Sequence, residues 1–227
     1  MKKLFAIVLC LVMVLSLVAC GEDNTPETTT TEPTTTTEPT TTTEATTTEA
    51  TEEITEELTG EIVIGSATDA VEVLKVIVSN YNTKYEGTDF QLPIMGGGYE
   101  NMNWEGPETV PAEDTAFLTQ MLLVPEADLG NIQAAASAIH AMNTNTFCAG
   151  AYNLAEGVDA ATFAATMQAA IQGNQWMSGF PEQFVIADVG GCVIVVYGNG
   201  QLIENFNAVI GETYPGVTVL INEAIAG

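Results

Sequence analysis

The sequence predicts a single α+β domain, a mixed but mainly antiparallel sheet packed with helices on one face, carried behind a disordered stalk. Three observations predict it. Short β-branched runs alternate with segments whose apolar residues recur at helical spacing in residues 61–227. The two best-defined runs, 184–187 and 192–197, are close enough to form a hairpin across Gly190-Gly191. Residues 20–60 are almost free of apolar side chains and cannot build a core.

In chain order, Glu61-Ile62-Val63-Ile64-Gly65 reads as a short strand, and Asp69 is placed to cap a helix carrying Val73, Leu74, Ile77, Val78 and Tyr81 on one side. Residues 87–111 hold Gly96-Gly97-Gly98, Pro93, Pro107 and Trp104 and show no period. They read as a long loop, and long loops inside compact domains are often functional. A second helix is expected over 112–123, and the Ala-rich 128–142 is helical or extended. Residues 146–152 form a strand, after which Asp159 caps a helix with Phe163, Met167, Ala170, Ile171 and Trp176 inward. The hairpin follows, then a helix carrying Leu202, Phe206, Val209 and Ile210, and a last strand over 217–221.

The first twenty residues are built for export. Lys2-Lys3 precede an apolar run from 4 to 15 and a small-residue site before Cys20, the layout of a signal peptide over residues 1–19; an uncleaved membrane helix is the alternative. Leu17-Val18-Ala19-Cys20-Gly21 resembles the lipobox of bacterial lipoproteins. That resemblance implies cleavage before Cys20 and a diacylglyceryl group on its sulfur, which places the protein on the outer face of the cytoplasmic membrane. Two acyl chains anchor stably, because each buried methylene contributes about 0.8 kcal/mol. Between Cys20 and residue 60, Thr blocks broken by Glu, Pro or Ala form a linker whose stretched reach is on the order of 100 Å. It is read as a polar spacer, with an O-glycosylated stalk as the alternative.

Charge narrows the partners. The chain has 4 basic and 30 acidic residues, a net charge of −26. All four cations are lysines, and two of them, Lys2 and Lys3, fall in the leader. Nucleic acid is excluded, since phosphate affinity needs clustered Lys and Arg. Anionic lipid surfaces are repelled, so membrane association rests on the lipid at Cys20.

Residues 146–210 resemble an uncharacterised domain-of-unknown-function family of lipoproteins from Gram-positive anaerobes. The likeness rests on the turn Ala155-Glu156-Gly157, the amphipathic helix, Pro181-Glu182-Gln183, and the two-strand unit around Val189-Gly190-Gly191-Cys192-Val193-Ile194-Val195-Val196. These motifs are structural, and the resemblance implies no catalytic residues.

Few side chains suggest chemistry. Cys148 and Cys192 are either disulfide-bonded, closing a loop of about 45 residues that would add roughly 4 kcal/mol, or two buried free thiols. A Cys148/His140 dyad is the sharpest enzymatic idea, but no orienting third group accompanies it. No calcium loop or paired-His pattern marks a metal, and no cofactor motif occurs. Gly96-Gly97-Gly98 lacks the Lys-Ser/Thr of a phosphate loop and reads as a flexible turn. Tyr99 and Trp104 offer an aromatic ligand surface for sugar or peptide. The expected role is a non-enzymatic surface-binding or envelope module with an unidentified small-molecule, glycan or protein ligand. A small solute-capturing lipoprotein of a transport system is an alternative, since residues 61–65 followed by a helix resemble the mature start of such proteins. An enzyme acting on cell-wall material is a further alternative.

Overall fold

Asp69 starts the first helix as its sequence suggests: its carboxylate accepts from the N–H groups of Val71 and Glu72, so two of the helix's orphan donors are satisfied. That helix, α1 (Ala70–Lys84), opens a fold seen in a computed structural model that describes Val63, Gly65, residues 68–177 and residues 179–226. The leader, Cys20 and the linker expected over 20–60 lie outside the described residues. Among the described residues no helix is long and apolar enough to cross a membrane.

Seven strands follow in one antiparallel sheet: β1 (Ile94–Met95), β2 (Glu108–Val110), β3 (Ile132–His140), β4 (Phe147–Leu154), β5 (Gln183–Asp188), β6 (Val193–Gly198) and β7 (Thr218–Ala224). Their order is β1-β3-β4-β6-β5-β7, with β2 also on β3. Between them run α2 (Thr115–Gln120), a 3-10 turn (Glu126–Asn131), α3 (Ala160–Gly173) and α4 (Gly200–Thr213).

The α+β class and the antiparallel sheet agree with the sequence, but helices cover both faces, not one. On one face α1 and α4 pack on Ala136, Ala138, Phe147, Ala149, Val185, Ile194 and Val196. On the other, α2 and α3 pack on Ile139, Cys148, Tyr152, Phe184, Ile186, Val195 and Tyr197. The cause is visible in β6, where all six residues of Val-Ile-Val-Val-Tyr-Gly are buried. A strand apolar on both sides cannot leave one side in water, because each large aliphatic side chain contributes about 1.5–3 kcal/mol on full burial. Edge-to-face ring pairs tie the layers, Phe147 with Phe206 at 4.8 Å and Tyr152 with Phe163 at 5.4 Å.

Several elements differ from expectation. Val63 and Gly65 are not in a strand; the other residues of 61–65 lie outside the described set. Instead Asn80, buried on α1, donates to the Val63 carbonyl (2.9 Å) and to the Thr213 hydroxyl (2.9 Å) and accepts from the Val63 N–H (3.1 Å). Gly65 donates to the Thr213 carbonyl. This backbone's hydrogen bonds therefore go to α1 and α4, and a sheet partner has no claim on them. The Ala-rich 128–142 resolves into the 3-10 turn and β3. Helix α2 is half the expected length, beginning only after its Asp114 cap. Trp176 lies beyond the end of α3, half-buried, with its ring 5.3 Å from Tyr197.

Candidate functional site

The expected long loop turns out to interrupt an edge strand. Met95 is opposite Ile139 and Glu108 opposite Ser137, so β1 and β2 lie along the same side of β3 in nearly continuous register. Residues 96–107 leave the sheet between them and return. This excursion is fastened at its neck: Gly96 and Asn103 exchange two backbone hydrogen bonds of 2.8 Å each, and the Ser137 hydroxyl donates to the Gly97 carbonyl at 2.8 Å. Ser137 is fully buried in β3, so this bond joins the sheet interior to the loop.

The three glycines belong to that neck and not to a flexible turn. A Cβ on Gly96 would lie 2.5 Å from the Glu108 nitrogen and 2.7 Å from Pro107 Cα, which only hydrogen avoids. Gly97 has φ +92°, a conformation side chains resist. The loop amide beside the glycines is already taken by a carboxylate: Tyr99 N–H donates to Asp114 Oδ2 (2.6 Å), while Phe117 N–H, in α2, donates to Asp114 Oδ1 (3.1 Å). Asp114 thus caps α2 and pins the excursion with one side chain. Asn101 closes the rest, accepting from Gly98 N–H (2.7 Å) and donating to the Thr109 carbonyl (2.8 Å).

Both expected ligand-surface aromatics ride on this loop. Tyr99 is 49% exposed, its ring braced edge-on against Phe117 at 5.1 Å. Trp104 is 69% exposed. Beside Trp104 the loop's return limb, with Asn103, Glu105 and Pro107, faces α1 across an open groove of about 470 Å³. Val78, Leu92 and Ile94 supply its apolar lining, and Lys75 stands on the helix side. Asn82 also lines it, with its amide spent on the Leu92 backbone (3.0 and 3.1 Å). The volume falls in the range of small-molecule sites, about 300–1,000 Å³. A second groove, about 560 Å³, lies beside Gln133, Asn153 and Gly191. Though larger, its chief polar group, the Asn153 amide, is consumed by Ala70 N–H and the Gly191 carbonyl, and no charged residue lines it. The first groove combines apolar surface with opposite charges and is the better ligand site.

The remaining candidates are not brought together. Cys148 sits opposite Tyr197, while Cys192 precedes Val193, which pairs with Tyr152. Five residues of strand separate the thiols, roughly 16 Å at about 3.3 Å per residue, and a disulfide needs Cα atoms within about 7 Å. They also belong to cores on opposite faces. Both are free and buried, the second of the two readings open in the sequence. Burial pushes each thiol up to about 12, so neither is a thiolate near neutrality. Cys148 Sγ instead donates to the Met121 carbonyl (3.6 Å), which also accepts from Tyr197 OH (2.7 Å).

The Cys148/His140 dyad fails for the same geometric reason. Cys148 is opposite Ile139, and strand alternation sends the next side chain, His140, to the other face. His140 Nδ1 accepts from the N–H groups of Met142 and Asn143, both at 3.2 Å, which shapes the β3–β4 turn. Partial burial holds its imidazole below the ordinary value. Among the described residues no group of three or more His, Cys, Asp or Glu converges on a metal position.

Sequence reasoning singled out Tyr99 and Trp104 but missed Lys75, Glu105 and Ser137. No local signal pairs α1 with a limb thirty residues later. No family model, curated protein or solved structure matches the chain.

Proposed function

We propose that this chain is a lipid-anchored protein of the outer face of the cytoplasmic membrane, whose domain binds a ligand without transforming it. The observation that carries the binding role is the fastened excursion 96–107, which holds Trp104 in solvent next to a groove of mixed polarity. A large exposed aromatic costs solubility, and an ordered loop that displays one is suited to stacking on a ligand. The anchoring rests on the lipobox-like residues at Cys20 and on the Thr-rich linker. A net charge of −26 with no arginine speaks against nucleic acid and against direct adhesion to anionic lipid.

Two experiments test the reading. Radiolabelled palmitate should be incorporated by the producing cell and lost in Cys20→Ser; unchanged labelling overturns the anchor. A thermal-shift screen of the full chain against sugars, cell-wall fragments, amino acids, peptides and divalent ions should give a rise of several degrees with one class. Recovered turnover of any of these compounds would replace binding with catalysis, and no shift with any class would overturn the binding role.

A further inference from the structure

The groove between α1 and the excursion has a charge arrangement that selects among ligands. From residue 61 onward the chain holds two cations, Lys75 and Lys84, in a strongly acidic protein. Lys84 is committed to α4, donating twice to the Glu212 carboxylate at 2.7 and 3.0 Å. Lys75 is not committed in this way. Among the described residues its ion pair is with Glu72 on its own helix, at 3.2 Å, with both side chains exposed. Such a pair between neighbouring turns is weak and exchanges readily. Lys75 therefore stands at the groove as a cation available to an incoming anion.

The facing limb contributes the opposite sign. Glu105 lines the groove, and its backbone N–H is held by Asn103 Oδ1 at 3.0 Å, so the limb that carries its carboxylate is fixed in place. Val78, Leu92 and Ile94 supply apolar lining to the same groove. A purely anionic ligand meets the repulsion of the whole acidic surface, with one lysine to offset it. A purely cationic ligand finds that lysine inside the site. A neutral ligand leaves both charges unmatched. A molecule carrying both a carboxylate and an ammonium, with an apolar side chain, matches all three features.

Resting on the binding role proposed above, we infer that this groove takes a small zwitterion, a free α-amino acid with an apolar side chain or a short peptide bearing one. The carboxylate pairs with the Lys75 ammonium, displacing Glu72. The ammonium pairs with Glu105. The side chain covers Val78, Leu92 and Ile94, and Trp104 is the chain neighbour of Glu105 on the same limb.

The test is calorimetric titration of the full chain in detergent with L-leucine and L-leucyl-glycine, beside N-acetyl-leucine amide, which has the same side chain and neither charge. The zwitterions should bind and the blocked compound should not. Lys75→Gln and Glu105→Gln should each weaken binding about tenfold, as expected for loss of one charge-assisted contact. Glu72→Gln should tighten it about two- to threefold by releasing Lys75, an effect that a merely structural role for Lys75 does not produce. All three positions are exposed enough to substitute without unfolding, which unchanged thermal melts of the unliganded variants would verify. Equal binding of the blocked compound, or zwitterion binding indifferent to Lys75→Gln and Glu105→Gln, overturns the inference. Binding of a glycan or other uncharged ligand with none of the zwitterions overturns it while leaving the binding role standing. Absence of binding by every class overturns both.

Discussion

Replacing Gly96 by alanine should damage the excursion, and the same change at Gly173 should not. Gly96 is buried at the neck, where a methyl group would meet the Ser137 carbonyl oxygen, the Glu108 nitrogen at 2.5 Å and Pro107 Cα at 2.7 Å. All three are backbone atoms, so no flexible side chain can yield. The neck must open, or β2 must slide along β3. Overpacking of this kind costs about 1–3 kcal/mol. For a domain of this size each kcal/mol lowers Tm by about 2–4 °C, so Gly96→Ala should melt roughly 2–12 °C lower. Gly173, the last residue of α3, has nothing within 4 Å of the added carbon and no positive φ. There alanine restricts the unfolded chain and should raise stability by about 0.5–1 kcal/mol. Differential scanning calorimetry of the two variants and the parent measures both shifts. Equal melting of Gly96→Ala and the parent would refute the account of the neck, because a loop free to accept the methyl is not fastened.

Further outcomes follow from the core and the turn. Cys148 and Cys192 should resist alkylation in the folded protein at about pH 8, react only on unfolding, and leave Tm unchanged by reductant; peptide mapping that finds either one modified in the native state would contradict their raised values. Asn80→Ala removes three hydrogen bonds at a buried site and should cost about 2–3 kcal/mol, with faster hydrogen exchange at Val63 and Gly65. His140 has its pKa lowered by burial, so below its unfolded value of about 6.5 the folded state binds fewer protons than the unfolded state. Its contribution is fully present above that pH and is lost as pH falls through the folded value. Tm should therefore drop more between about pH 7.5 and 5.5 in the parent than in His140→Asn, and equal drops would remove His140 from the cause.

Much of the C-terminal half is legible in sequence because each element there carries two agreeing signals. Asp159 and Asn199 cap the helices whose apolar residues recur behind them, and Gly190-Gly191 separates two strand-forming runs. β3 is ambiguous because alanine favours no strand; pairing with β1 and β2 on one side and β4 on the other decides it. The unbroken apolar run of β6 is the sequence pattern that accompanies a second helical layer, since a strand buried on both faces loses the alternation that marks a one-sided sheet. β1 and β2 were hidden in the expected loop because segments of two and three residues carry no period of their own. Trp104 was found by its type. The groove's Lys75 and Glu105 were not, because α1 and the return limb come to one groove through the register of the edge strand on β3.

The most direct measurement is a nitrogen–proton NMR titration of the labelled protein with whichever compound gives the largest thermal shift. Perturbations should concentrate on residues 75–82, 92–94 and 103–107, with the Trp104 indole signal among them. Perturbations centred on Gln133, Asn153 and Gly191, or spread over the acidic surface without a focus, would contradict a ligand site built by the excursion.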